Sequence, residues 1–231
     1  MPYRFFISIV VLLVGGISQV QADSQPERPN ISYVRDIQPI LTEKCVACHA
    51  CNDAPCQLNL GAGEGTARGA SKIPVYDGER SVAQAPTRLF YDASGPKDWA
   101  DKGFYSVLDA QGSQASLMSR MIELGRNAPL EPNAKIPAEI ALGMSRENLC
   151  AQPGEFNAYA QAHPKEGMPL AVAGLSDAQY QTLQRWFASG APIDDAAQQP
   201  SLSEIGQITE WETLLNQPGS TQALVGRWLY E

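Results

Sequence analysis

Apolar residues fall into one continuous run and five stretches of helical spacing. The run is "FFISIVVLLV", Phe5 to Val14. It is too short for a bilayer, which takes about 20 residues. With Arg4 ahead of it and the small-residue site Val20-Gln21-Ala22 behind, it predicts a secretory leader over 1–22. An uncleaved anchor is the alternative, because Gly15-Gly16 lengthens the run. The first periodic stretch sets Val34, Ile37, Leu41 and Cys45 on one helix face, with Asp36 as N-cap and Pro39 in the first turn. The second spans 113–124, with Ser113 as cap, Leu117, Met118, Met121 and Ile122 as the buried stripe, and Gly125 as the stop. The third follows Ser176, which forms a capping box with Gln179 and carries a Leu175–Tyr180 staple. Its apolar face is Tyr180, Leu183, Trp186 and Phe187, and Gly190 and Pro192 end it. The last two are a Ser201/Glu204-boxed helix burying Ile205, Ile208, Trp211 and Leu215, and a Ser220-capped helix burying Leu224, Val225, Trp228 and Leu229.

Residues 57–112 show neither period. Small residues fill "GAGEGTARGAS", "PVYD" and "TRLFYD" read as extended or turn-like pieces, and "DWADKGFYSVLD" adds a turn and one short helix. The glycine-rich piece lacks the order of a phosphate loop. The fold expected is therefore mainly α, with a long loop-rich insertion over about 57–112 and two C-terminal helices over 196–231.

Charge narrows the partners. The chain holds 17 Lys+Arg and 25 Asp+Glu, net −8; losing Arg4 with the leader leaves 16 against 25, or −9. No basic run exceeds a pair, so nucleic acid has no footprint here. The negative balance also argues against polybasic attachment to anionic lipid. Without residues 1–22 of the 231, the rest can bury one large core or two small ones. An exported chain of this kind belongs in the periplasm.

Four of the five cysteines and one of the two histidines crowd into "CVACHACNDAPC", residues 45–56. Cys45-Val46-Ala47-Cys48-His49 is a C-x-x-C-H, which in an exported chain reads as a covalent c-type haem site. Two cysteines three apart lie on one side of a helical turn, so each sulfur can add to one vinyl group. His49 then presents its imidazole to the iron as proximal ligand. A redox C-x-x-C would want a βαβ setting, which is absent. Cys45, Cys48, His49 and Cys51 sit too close in sequence for one comfortable zinc tetrahedron. The domain over 23–195 is thus expected to be cytochrome c-like, holding one covalent haem, with the insertion wrapping the haem edge.

For the sixth iron position the first candidate is Met168, in a Met-Pro loop ahead of a capped helix. His163 is the runner-up, and an open site is the third possibility. Met118 and Met121, at helical spacing, read as core filler. Of Cys51, Cys56 and Cys150, two are expected to pair, in any of three combinations.

Several pieces then carry a more specific likeness. CVACHACNDAPCQL, ARGASK…VYDG, APTRLFYD, GFYSVL, HPKEGMPL and LSDAQY…W…GAP resemble, in order and spacing, the N-terminal part of bacterial fatty acid cis/trans isomerases. That resemblance implies a periplasmic haem c enzyme acting on unsaturated acyl chains of membrane phospholipids, with peripheral membrane contact. It implies Cys45 and Cys48 as the covalent haem sites and His49 as the axial ligand. Family members are several times longer, so 196–231 would begin a larger region. A cis double bond turns only when its π bond order drops, and an oxidised iron that transiently draws an electron from it provides that without net redox change. No nicotinamide or flavin fingerprint appears. The alternatives are an electron-transfer c-type cytochrome without isomerase activity, and a haem-binding stub that docks on something larger.

Overall fold

The computed structural model describes residues 31–50, 54–73, 85–110, 112, 114–138, 140, 149–194, 202–216 and 219–230. The leader expected over 1–22, the "PVYD" piece, Cys51 and the expected caps Ser113 and Ser201 lie outside the described residues. Among the described residues the architecture is mainly α, with eight α-helices and one two-stranded sheet.

A single wide π-turn, Tyr33–Ile37, runs into α1 (Gln38–Lys44). Ser32 caps it, in place of the expected Asp36. Ser32 Oγ accepts from the Arg35 N–H at 3.3 Å, while Asp36 reaches back to the Ser32 N–H at 2.9 Å. The two residues thus satisfy the exposed donors reciprocally, as a capping box does. Tyr33, Ile37 and Leu41 face inward, whereas Val34 of the expected stripe faces solvent.

The stretch read as an insertion has more order than its composition suggests. It contains α2 (Gly63–Arg68), β1 (Ala70–Ser71), α3 (Pro96–Asp101) and β2 (Phe104–Tyr105). The strands pair antiparallel, Ala70 opposite Tyr105 and Ser71 opposite Phe104. Gly69 has φ +81°, and the Tyr105 carbonyl lies where its Cβ would be, so glycine is required there.

Helix α4 (Leu117–Asn127) is capped by Ser116, whose hydroxyl accepts from the Ser119 N–H at 3.3 Å. Gly125 does not stop it but lies inside its last turn. A further helix, α5 (Phe156–Ala162), follows a short 3-10 turn. Helix α6 (Asp177–Ala188) matches its sequence signals closely. The Ser176/Gln179 box is formed in both directions, at 3.2 and 3.0 Å, and Gly190 takes φ +88° just past the end.

The core gathers Tyr33, Ile37, Leu41, Leu60, Leu117, Ile122, Leu183 and Trp186. Tyr33 and Trp186 meet with ring centroids 5.8 Å apart, joining the first helix to α6. Helices α7 (Leu202–Leu215) and α8 (Ser220–Tyr230) form where expected, but their stripes are not buried. Ile205, Ile208, Trp211, Leu224, Val225 and Trp228 are all exposed. The two helices meet at Gly226, whose Cβ would stand 2.9 Å from the Leu215 carbonyl. That close approach leaves the larger side chains outside the contact. No helix among the described residues is long and apolar enough to cross a membrane.

Trp186→Ala removes a fully buried indole and is expected to destabilise the fold by about 3–5 kcal/mol. Trp228→Ala, on an exposed face, should stay within about 0.5 kcal/mol of the parent. Denaturant unfolding of the two variants checks both values.

Candidate functional site

Helix α1 ends one residue before Cys45, and the Cys45 N–H still donates to the Leu41 carbonyl at 2.8 Å. The chain then folds into a tight turn: Cys48 and His49 both donate backbone N–H groups to the Cys45 carbonyl, at 3.1 and 2.9 Å. Cys45 is half-buried, Cys48 exposed, and neither is in a disulfide. Burial pushes the Cys45 thiol up to about 11, with a smaller push from Cys48.

His49 is buried, and its Nδ1 lies 3.1 Å from the Leu58 carbonyl. A carbonyl can only accept, so this contact selects the Nδ1–H tautomer and puts the ring lone pair on Nε2. The Leu60 N–H returns to the His49 carbonyl at 2.6 Å, and Gln38 Nε2 donates to the Leu60 carbonyl at 3.1 Å. The imidazole is therefore oriented by a loop that is itself tied to α1.

That loop is also held covalently. Cys56 and Cys150 form a disulfide across 94 residues of sequence, with Cα atoms 5.5 Å apart. Of the three possible pairings it is the one that joins the haem-motif loop to a remote segment and excludes Cys51. In the chain-entropy account, closing a loop near this length is worth about 4–5 kcal/mol.

Beside the disulfide sits a residue the sequence did not single out. Arg68, at the end of α2, is 6% exposed. Its Nη2 and Nη1 donate to the carbonyls of Gln57 and Thr87, both at 2.6 Å. Its guanidinium stands over Phe104 at 4.6 Å and Trp99 at 5.2 Å. Burial pulls its pKa down to about 10. It falls within the ARGASK piece, but no periodicity or spacing gives it a role, since its partners come from three separate segments.

The Met168 candidate is placed by α4. Its N–H donates to the Met121 carbonyl at 2.8 Å. Gly125 and Gly167 make the approach possible: a Cβ on either would collide with the opposing backbone. Beside this crossing lies a cavity of about 270 Å³, lined by Ile122, Gly125, Arg126, Pro129, Met168 and Leu175 among others. His163 is engaged locally. Its Nδ1 lies 2.9 Å from Glu166 Oε1, and its ring stacks on Tyr159 at 5.1 Å. The motif turn and the Met168 loop border one core, through Cys45 and Val46 on one side and Met121 and Ile122 on the other. Among the described residues no group of three His, Cys, Asp or Glu gathers as a metal cluster.

A family model described as fatty acid cis/trans isomerase matches residues 84–231, well over half of the chain. No curated protein and no solved structure matches it. Met168, His163 and Cys150 fall inside the matched stretch; Cys45, Cys48, His49 and Arg68 precede it.

Gly125→Ala tests the crossing that sets Met168. Helix propensity alone would favour alanine by about 1 kcal/mol. Overpacking against the Met168 backbone works the other way, by about 1–3 kcal/mol. The net expectation is a lower melting temperature, whereas Gly154→Ala, with nothing within 4 Å of its Cβ, should leave it unchanged.

Proposed function

The chain belongs to the fatty acid cis/trans isomerase family, and on that premise we propose that it converts cis to trans double bonds in the acyl chains of membrane phospholipids, using a haem attached at Cys45 and Cys48. The family match is the observation that carries this reading. The donor set at the motif fits the cofactor. It offers two unpaired thiols three positions apart, then an imidazole whose tautomer is fixed by the Leu58 carbonyl. A haem iron bound there would supply a one-electron oxidant, which is one way to lower the bond order of an alkene.

The chain's own residues do the rest. His49, oriented by Leu58 and by the Gln38–Leu60 tie, would hold the iron through Nε2. Met168, on the α4 crossing, is the candidate for the sixth position, where a thioether raises the potential. His163 is the alternative: Glu166 holds its Nδ1, which leaves Nε2 as the nitrogen that would face a metal. The apolar cavity beside Met168 is of a size to take a segment of acyl chain.

A leader over 1–22, as the sequence leads one to expect, would direct the protein to the periplasm. Substrate chains lie in the bilayer, and the exposed apolar face of α7 and α8 is the surface that meets it. Trp211 is 56% exposed and Trp228 78% exposed on that face. Tryptophan favours the membrane–water interface, and apolar area rather than charge would drive this contact in a chain of net −8.

Production in an exporting host with haem-maturation machinery should give a c-type haem spectrum and a haem-shifted mass. His49→Ala should lose or grossly alter the spectrum. With palmitoleoyl lipid supplied, gas chromatography should find trans isomers with the parent and none with His49→Ala. A reversible redox couple with unchanged lipid isomers would instead mark an electron-transfer cytochrome. Separately, Trp211→Ala/Trp228→Ala should weaken co-sedimentation with liposomes several-fold while leaving the unfolding midpoint in place; unchanged binding removes this face from the proposal.

A further inference from the structure

Arg68 is a buried cation that the described residues around it orient without neutralising. Its two terminal nitrogens meet backbone carbonyls of Gln57 and Thr87, and two aromatic faces flank it. Those partners are themselves locked: Thr87 Oγ1 donates to Gln57 Oε1 at 2.6 Å, and Gln57 Nε2 to the Ile73 carbonyl at 2.7 Å. All are neutral. Nε, although buried, has no hydrogen-bond partner among the described residues. Among the described residues no carboxylate lies within ion-pair distance of it.

Arg120 is the nearest parallel among the described residues: its Nε is also buried without a hydrogen-bond partner, and its terminal nitrogens meet Gln114 Oε1 and the Pro153 carbonyl, but it is only half-buried whereas Arg68 is 6% exposed. Arg126 is partly exposed and pairs with Asp177 at 2.7 Å, and Arg88 pairs with Asp92 at 3.1 Å. A guanidinium that only staples loops has no need to be buried without a counter-charge, because burial of an unpaired ion opposes folding. An anion arriving after folding resolves the imbalance, and the Nε–H is the donor left for it. The position says which anion. Gln57, whose carbonyl Arg68 holds, directly precedes Leu58, whose carbonyl orients the His49 ring. Arg68 thus sits one residue step from the support of the proposed iron ligand.

We infer that Arg68 binds a carboxylate side chain of the porphyrin attached at Cys45 and Cys48, and so both seats the haem and neutralises that carboxylate. This rests on the haem reading above. Arg68 acts through the cofactor's periphery, as a positioning residue. It also carries an electrostatic consequence. A cation on the carboxylate disfavours the more positive ferric iron, so its loss stabilises the oxidised state and lowers the midpoint potential.

The test uses the matured holoprotein, with covalent haem verified by mass. Arg68→Gln is expected to shift the midpoint to lower potential, and Arg68→Lys, which keeps the charge, to return it most of the way. Equal midpoints in parent, Gln and Lys forms overturn the assignment. So do equal shifts in both variants, the mark of a purely structural role. If Arg68→Gln fails to mature, a crystal structure of the parent holoprotein decides. A porphyrin carboxylate on Arg68 Nε supports the inference; a solvent-turned one, or a carboxylate of Asp53, Asp77 or Glu79 in its place, overturns it. A parent that carries no covalent haem sinks the haem reading itself, whereas a haem-loaded parent with an insensitive midpoint sinks only the role of Arg68.

Discussion

The packing of Tyr33 on Trp186 sets the position of everything around the motif. Both residues are almost fully buried, and each uses its polar atom to tie down a further segment. The Tyr33 hydroxyl bonds to Thr66 Oγ1 at 2.9 Å, which fixes α2. Its backbone N–H reaches Asp194 at 3.1 Å, and Trp186 Nε1 donates to the Pro192 carbonyl at 2.9 Å. An aromatic pair adds about 0.5–1.5 kcal/mol beyond the area it buries. Its larger effect is geometric, since it makes the start of the first helix, α2, α6 and the stretch after α6 depend on one contact. Desolvation pushes the Tyr33 phenol up to about 12, so it stays a neutral donor across the physiological range.

With that helix pinned, the motif has little freedom left. Helix α1 runs directly into Cys45, and the turn that follows is closed by its own backbone. The loop beyond it is tied three times: by Gln38 to Leu60, by His49 to Leu58, and by the disulfide to Cys150. Cys56 and Gln57 both adopt positive φ, at 57° and 49°, a conformation non-glycine residues hold only when surroundings impose it. The disulfide on one and the Arg68 and Thr87 bonds on the other are those surroundings.

How far the sequence could be read tracks how local the deciding physics is. Helix α6 was legible to its caps because Ser176, Gln179 and Gly190 act within a few residues of themselves. The stripe of α4 was legible, but Gly125 was not. A stop glycine and a glycine forced by a neighbouring backbone look the same in one dimension, and here Met168 lies on the helix. Helix α2 was read as loop because "GEGTAR" has poor helix propensity. It forms against tertiary partners: Gly65 abuts the Asn59 backbone, and Thr66 and Arg68 are buried. The α7 and α8 stripes were read as buried, since amphipathicity reports what a face prefers and not what covers it. The three motif residues stand out in the sequence because covalent haem chemistry would need them in one pentapeptide. Arg68 does not, because its partners at 57, 87, 99 and 104 meet only in the fold.

The boundary of the family match makes the same point from the other direction. The matched stretch begins at residue 84, after the motif, yet the two parts are not separable bodies. Residues 31–231 form one compact unit. Arg68 before the boundary bonds Thr87 after it, Gln57 bonds the same threonine, and β1 pairs with β2 across it. Cys56 and Cys150 join the parts covalently. The core mixes Tyr33, Ile37 and Leu41 from one side with Leu117, Leu183 and Trp186 from the other. Burial this interleaved makes unfolding of one part expose the other's apolar surface, so the motif and helices α4 and α6 of the matched stretch stand or fall together. That coupling is why a chemistry proposed for the pentapeptide at 45–49 is compatible with a family membership carried by residues 84–231.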